Sequence, residues 1–123
     1  MSHNWNDSQP IYLQLADQIK DMILNGDVAA GEALPSVRQL AMDYQVNPIT
    51  VSKSYQILVD DNLVSKKRGL GMFVSDQAKV ILQQQQRQDF IQKQWPDVLQ
   101  KIEQLNIDTD ALIKSLEKTG RQS

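Results

Sequence analysis

The sequence predicts a mainly α-helical fold that carries one small β-hairpin, on three observations. Two amphipathic segments, each opened by a capping residue, follow one another across 36–60. A β-turn-β pattern with a basic tip comes next, at 63–74. Beyond Asp76 the chain is rich in helix formers, with apolar residues at helical spacing.

Taken in order, the first helix follows Gln9-Pro10. It sets Tyr12, Leu15, Ala16, Ile19, Met22 and Ile23 on one stripe and stops at Asn25-Gly26. The width of that stripe assigns Tyr12 to packing rather than to a phosphate contact. Gly31 and Pro35 flank an extended link, Glu32-Ala33-Leu34, suited to pair with the later hairpin as a third strand. The second helix opens at Ser36, whose hydroxyl accepts from an N–H one turn in, and its apolar positions are Val37, Leu40, Ala41 and Tyr44. After a turn at Gln45-Val46, Asn47-Pro48 supplies an N-cap and then a proline at the first helical position, where the missing N–H costs nothing. The third helix buries Val51, Tyr55, Leu58 and Val59. It leaves Thr50, Ser52, Lys53 and Gln56 elsewhere on its surface, with no carboxylate before Asp60, a composition that suits an anionic partner.

Asn62 occupies a left-handed stop, and Leu63-Val64-Ser65 with Met72-Phe73-Val74 bracket Lys66-Lys67-Arg68-Gly69-Leu70-Gly71 as a hairpin with a cationic tip. Its glycines give φ freedom and remove bulk where backbone approaches a phosphate or a minor groove. Two helices joined by so short a turn make a helix-turn-helix, in which the start of the second helix enters the major groove of DNA.

Four segments in order, Pro10-Ile11-Tyr12, Gly31-Glu32-Ala33-Leu34-Pro35-Ser36-Val37-Arg38-Gln39-Leu40-Ala41, Asn47-Pro48-Ile49-Thr50-Val51 and Gly69-Leu70-Gly71-Met72-Phe73-Val74, resemble the winged helix-turn-helix of the GntR family of bacterial transcription regulators. Asn62 stands where that family often has glycine, a mild departure because asparagine tolerates the same conformation. Large effector-binding domains normally follow in the family, and 77–123 is too short for one. The chain is therefore similar to the YtrA subfamily, whose short helical extension serves dimerisation and whose members often repress transporter operons.

The resemblance implies DNA contact by Arg38 and makes Thr50 the surest contact of the recognition helix, beside Asn47, Ile49 and Ser52. Ser36 offers a hydroxyl at a helix N-terminus, a natural phosphate seat, and Lys53 is the only charge on its helix before Asp60. In the wing, Lys67, Arg68, Gly69 and Gly71 complete the expected DNA-binding set. Plainer readings stand beside these: Ser36 and Asn47 as caps, Arg38 as a solvated surface residue, and the basic run as an ordinary soluble hairpin tip.

A chain of 123 residues has room for one compact domain and an appendage. The absence of cysteine excludes disulfides, thiolate zinc sites and cysteine nucleophiles. The polar start, Met1-Ser2-His3-Asn4-Trp5-Asn6-Asp7, resembles no secretory leader, and no apolar run approaches the ~20 residues of a membrane span, so the expected location is cytoplasmic, without a membrane partner. A net charge of −2 is unusual for a DNA-binding chain, but 36–74 holds five cations (Arg38, Lys53, Lys66, Lys67, Arg68) against three acids (Asp43, Asp60, Asp61). So small a patch neutralises few phosphates; each monomer binds weakly and salt-sensitively, and specific recognition needs a dimer.

Across 79–94 glutamine dominates, yet no glycine or proline interrupts it, which favours helix over a loose tail. Pro96 is expected to break or restart that helix, after which Val98, Leu99, Ile102 and Leu105 recur with helical period. Asp108 caps a last short helix bearing Leu112, Ile113 and Leu116, which frays across 118–123. These helices expose more apolar surface than one small domain covers, so a dimer interface is expected at Ile91, Trp95, Val98, Leu99, Ile102 and Leu105, with Trp95 as an anchor. Folding back onto the winged domain is the alternative.

The expected organisation is a flexible N-terminus at 1–9, a winged helix-turn-helix at 10–76 and a helical dimerisation region at 77–123. No catalytic, cofactor or metal site is expected. His3 is the single histidine, Asp60-Asp61 and Asp108-Asp110 have no histidine, cysteine or phosphate loop to work with, and Gly69-Leu70-Gly71 precedes a strand instead of opening a helix. The expected function is a sequence-specific transcription regulator: a homodimeric repressor binding a palindromic double-stranded DNA operator, its half-sites one or two helical turns apart, with any small-molecule effector unknown. A winged helix used for protein interaction or RNA binding is the alternative and predicts no preference for a palindrome.

Overall fold

The structure, a computed structural model, describes residues 5–120 and resolves into two compact units that divide between Gln85 and Gln86. In the first unit, α1 (Ile11–Asn25) follows Pro10 and buries Leu15, Ala16, Ile19 and Ile23 of the stripe read from its spacing, with Tyr12 and Met22 half-buried. Gly26 ends it in the left-handed conformation, φ 86°, and the N–H groups of Gly26 and Asp27 return to the carbonyls of Ile23 and Met22. The next helix, α2 (Val37–Tyr44), is capped by the Ser36 hydroxyl, which accepts from the Gln39 N–H at 3.1 Å. It ends at Gln45, also left-handed with φ 56°. In α3 (Pro48–Asp60) the cap is Asn47, whose Oδ1 accepts from the Ile49 N–H at 2.8 Å. Asn62 takes the expected left-handed stop, φ 62°.

Strands β1 (Val64–Lys67) and β2 (Gly71–Val74) pair antiparallel, with Val64 opposite Val74 and Lys67 opposite Gly71. The expected third strand contracts to a single bridge, Ala33 with Phe73. The Gly31 N–H donates to the Val74 carbonyl, the Val74 N–H to Glu32 and the Leu34 N–H to Met72. The core beneath comprises Leu15, Ile19, Leu40, Val51, Tyr55, Leu58 and Leu63 with their neighbours. Burying each large aliphatic side chain here is worth about 1.5–3 kcal/mol relative to exposure.

Two expected boundaries shift. Helix α4 (Ala78–Asp89) sets Ala78 and Leu82, both at 0% exposure, into the first unit's core, so the division falls inside α4 instead of at 76/77. The segment expected to be flexible at 1–9 is tied from Trp5 onward. Trp5 stacks on Tyr44 with ring centroids 6.4 Å apart, and the Gln14 amide accepts from the Asn6 N–H at 3.1 Å while donating to the carbonyls of Asn6 and Gln9 at 2.8 and 2.7 Å. The reading of His3 falls outside the described residues, as does the end of the chain from 121 to 123.

In the second unit a π-helical turn, Phe90–Gln94, precedes α5 (Trp95–Gln104) and α6 (Thr109–Gly120). Of the two outcomes expected at Pro96, a break or a restart, the structure shows the second: α5 starts at Trp95 with the proline in its first turn. Pro96 has no N–H, and its ring would meet the carbonyl four residues earlier in a regular α ladder; a π turn widens the ladder just ahead of it, and Trp95 stays helical at φ −60°, ψ −42°. Helix α5 closes with Asn106 left-handed, φ 51°, and the Ile107 N–H bonded to the Ile102 carbonyl at 3.1 Å. Asp108 caps α6 as read, its Oδ1 accepting from the Asp110 N–H at 3.1 Å. No residue of α5 or α6 is buried. None of the described helices is long and apolar enough to cross a membrane.

Candidate nucleic-acid interface

The start of α2, the outer face of α3 and the hairpin enclose one open cleft of about 440 Å³. Leu34, Pro35 and Met72 supply apolar wall, and Ser36, Ser52, Gln56 and Lys66 supply polar groups. Hydrogen bonds hold its sides in place. The Tyr55 hydroxyl donates to the Pro35 carbonyl at 2.6 Å, locking the link before α2 to the middle of α3. Burial, and secondarily the neighbouring Tyr44, hold this phenol protonated well above the ordinary tyrosine range. The Ser54 hydroxyl, at 0% exposure, lies 2.7 Å from the Tyr12 carbonyl and ties α3 to the first turn of α1.

Charge is sorted along the same elements. The three acids of this region stand at the C-terminal ends of α2 and α3, each with a partner: Gln39 donates to Asp43 at 2.8 Å, Gln56 to Asp60 at 2.8 Å, and Lys20 pairs with Asp61 at 3.4 Å. The ion pairs of the described residues are that one and Lys93 with Asp89, so none engages Arg38, Lys53, Lys66, Lys67 or Arg68. Both helices therefore start in a region without carboxylates, where their N-terminal dipoles favour an anion.

Of the expected DNA-binding residues, Ser36, Ser52 and Gly71 line the cleft. Arg38, Asn47, Ile49, Thr50 and Lys53 lie on α2 or at the start of α3 outside it, all exposed but Thr50, which is half-buried. The Ser36 oxygen is a cap acceptor, which leaves its own hydroxyl proton to donate elsewhere. Asn47 is likewise a cap. Lys53 rests its ammonium 5.6 Å above the Tyr12 ring. Arg68 and Gly69 form the exposed hairpin tip, where the Leu70 N–H returns to the Lys67 carbonyl at 2.8 Å and Gly69 adopts φ 77°, a conformation that disfavours any side chain.

Lys66 and Lys67 part company. Neighbours along a strand face opposite sides, so Lys66 joins the cleft while Lys67 stands 4.4 Å over the Phe73 ring on the other face. Lys66 and Gln56 were not in the expected set; period-two alternation in the strand was the available signal for Lys66. The expected interface residues Ile91, Val98, Leu99 and Leu105 are exposed, and Trp95 and Ile102 half-buried, within the second unit.

The profile of the bacterial regulatory proteins of the gntR family matches residues 11–74. The HTH-type transcriptional regulator YhcF of Bacillus subtilis (strain 168) is 36% identical over 81 residues, 66% of this chain and 67% of that protein. The transcriptional repressor YtrA of the same organism is 43% identical over 75 residues, 61% of this chain but only 58% of its own length. A solved GntR family transcriptional regulator from Listeria monocytogenes superposes with a TM-score of 0.68 at 29% identity, covering 93% of this chain and 98% of that one.

Proposed function

Because the chain belongs to the GntR family of bacterial regulatory proteins, which are transcription regulators and not enzymes, we propose that it is a sequence-specific DNA-binding repressor acting as a homodimer on a two-fold symmetric operator. The observation that carries this reading is the cleft between α3 and the hairpin. When a recognition helix occupies a major groove and a wing reaches the adjacent minor groove, one sugar-phosphate strand runs between them. Ser36, Ser52 and Lys66 stand where that strand passes, as donors to phosphate. Arg38, Thr50 and Lys53 extend the contact along the helices, and Lys67, Arg68, Gly69 and Gly71 along the wing.

Dimerisation falls to the second unit, through Ile91, Trp95, Val98, Leu99, Ile102 and Leu105. Apolar side chains at helical spacing with no buried position in α5 or α6 support a second copy as their cover. Tethering two winged units raises the effective concentration at the second half-site, so repression depends on the pairing of the helices as much as on the contacts. The name of YtrA as a repressor supports the direction of regulation.

Selection of duplexes from a random pool tests the reading, and enrichment of an inverted repeat is the expected result. On that repeat, Arg38→Ala, which removes one contact from each half-site, should lower affinity roughly tenfold or more and reduce the slope of log affinity against log salt by about 2, with the dimer intact. No enrichment, or equal binding to single-stranded RNA, overturns it; loss of self-association in Arg38→Ala contradicts the division of labour between the units.

A further inference from the structure

Base reading in a major groove normally uses forks: arginine or lysine for guanine, an amide with both ends available for adenine. The start of α3 offers neither. It has no arginine, and Lys53 lies over the Tyr12 ring. The Asn47 side-chain Oδ1 accepts from the Ile49 N–H, and the Gln56 amide nitrogen donates to Asp60. What the first turn does present is Ile49, 64% exposed and absent from the core, followed by Thr50.

A bare isoleucine there cannot hydrogen-bond to a base edge, and its apolar complement in the major groove is a single group, the 5-methyl of thymine. Within the winged unit two other side chains are equally bare, and neither fits this role. Met42 stands near the C-terminal end of α2 beside Asp43, and Leu70 sits on the wing tip, whose minor-groove partner displays no methyl. Resting on the DNA-binding reading above, we propose that Ile49 is the base-reading contact of α3 and recognises the 5-methyl group of one thymine in each operator half-site. Thr50, with its own methyl and hydroxyl, flanks that contact, and the sequence preference of the helix is set by apolar contact instead of by charge.

Deoxyuridine differs from thymidine by that methyl alone, which gives a direct test. Each thymine of a duplex enriched by the full chain is replaced in turn by deoxyuridine, and binding is measured for wild type, Ile49→Ala and Ile49→Val. One symmetry-related thymine pair should weaken wild-type binding roughly three- to fivefold per half-site, the scale of one buried methyl group. Ile49→Ala should bind the thymine and uracil duplexes alike, and Ile49→Val should discriminate to an intermediate degree, with unchanged circular dichroism in both variants. An enriched duplex at which every replacement is neutral for wild type, or acts equally on wild type and Ile49→Ala, overturns the inference and leaves the DNA-binding reading standing. Failure to enrich any duplex removes both.

Discussion

Helices α1 and α5 carry apolar stripes of the same period, yet they meet different fates. The α1 stripe is closed over by Val51, Tyr55 and Leu58 of α3, while Val98, Leu99 and Leu105 remain exposed in a unit where α5 and α6 bury nothing. Periodicity reports that a helix face wants cover; it does not report whether the cover comes from the same chain. The winged unit covers its own apolar stripe, and the helical unit leaves its stripe open.

The sharpest way to break that contrast is a charge on the uncovered face. If the proposed dimer forms through this face, Leu99→Glu should leave a monomer in sedimentation and lower operator affinity by roughly 10²–10⁴, the scale of a lost tether, while the winged unit stays folded. Dimers that persist in Leu99→Glu would place the interface elsewhere. Next in size, Leu58→Ala opens a cavity in the closed core and should cost about 2–5 kcal/mol in urea unfolding, with self-association unchanged under native conditions. Smallest is Tyr55→Phe, which removes the bond to Pro35 and should cost about 1 kcal/mol. The same variant carries a pH signature. The unfolded chain releases the tyrosine proton near pH ~10 whereas the folded phenol keeps it, so stability falls as pH rises beyond that point, and Tyr55→Phe should show a shallower fall in melting temperature between neutral and strongly alkaline buffer.

Much of the winged unit was legible because its punctuation is local. Ser36, Asn47-Pro48, Gly26 and Asn62 each act on backbone within one turn, and each adopts the expected geometry. What escaped was long-range or without residue preference. Gln45 takes a left-handed angle that glycine or asparagine would have advertised, and the bond from Ser54 to the Tyr12 carbonyl joins helices far apart in sequence. The anchoring of Trp5 left only a faint trace, one large aromatic in a polar leader. Pro96 was visible, but whether a helix breaks or widens at a proline depends on the turn ahead of it. Within the candidate site, the two helix starts were readable from caps, whereas the cleft needed strand register to separate Lys66 from Lys67.

One consequence lies in the root of the hairpin. Val74 is bonded to Gly31 and Glu32 on one side and paired with Val64 on the other, and the Ser75 N–H donates to the Leu63 carbonyl, while the far end closes only its own turn. The projection is therefore a cantilever. Amide hydrogens at its base should exchange with solvent only when the whole unit opens and those at its end through small local excursions, so that a wider or narrower groove bends the last few residues without the cost reaching the body of the molecule.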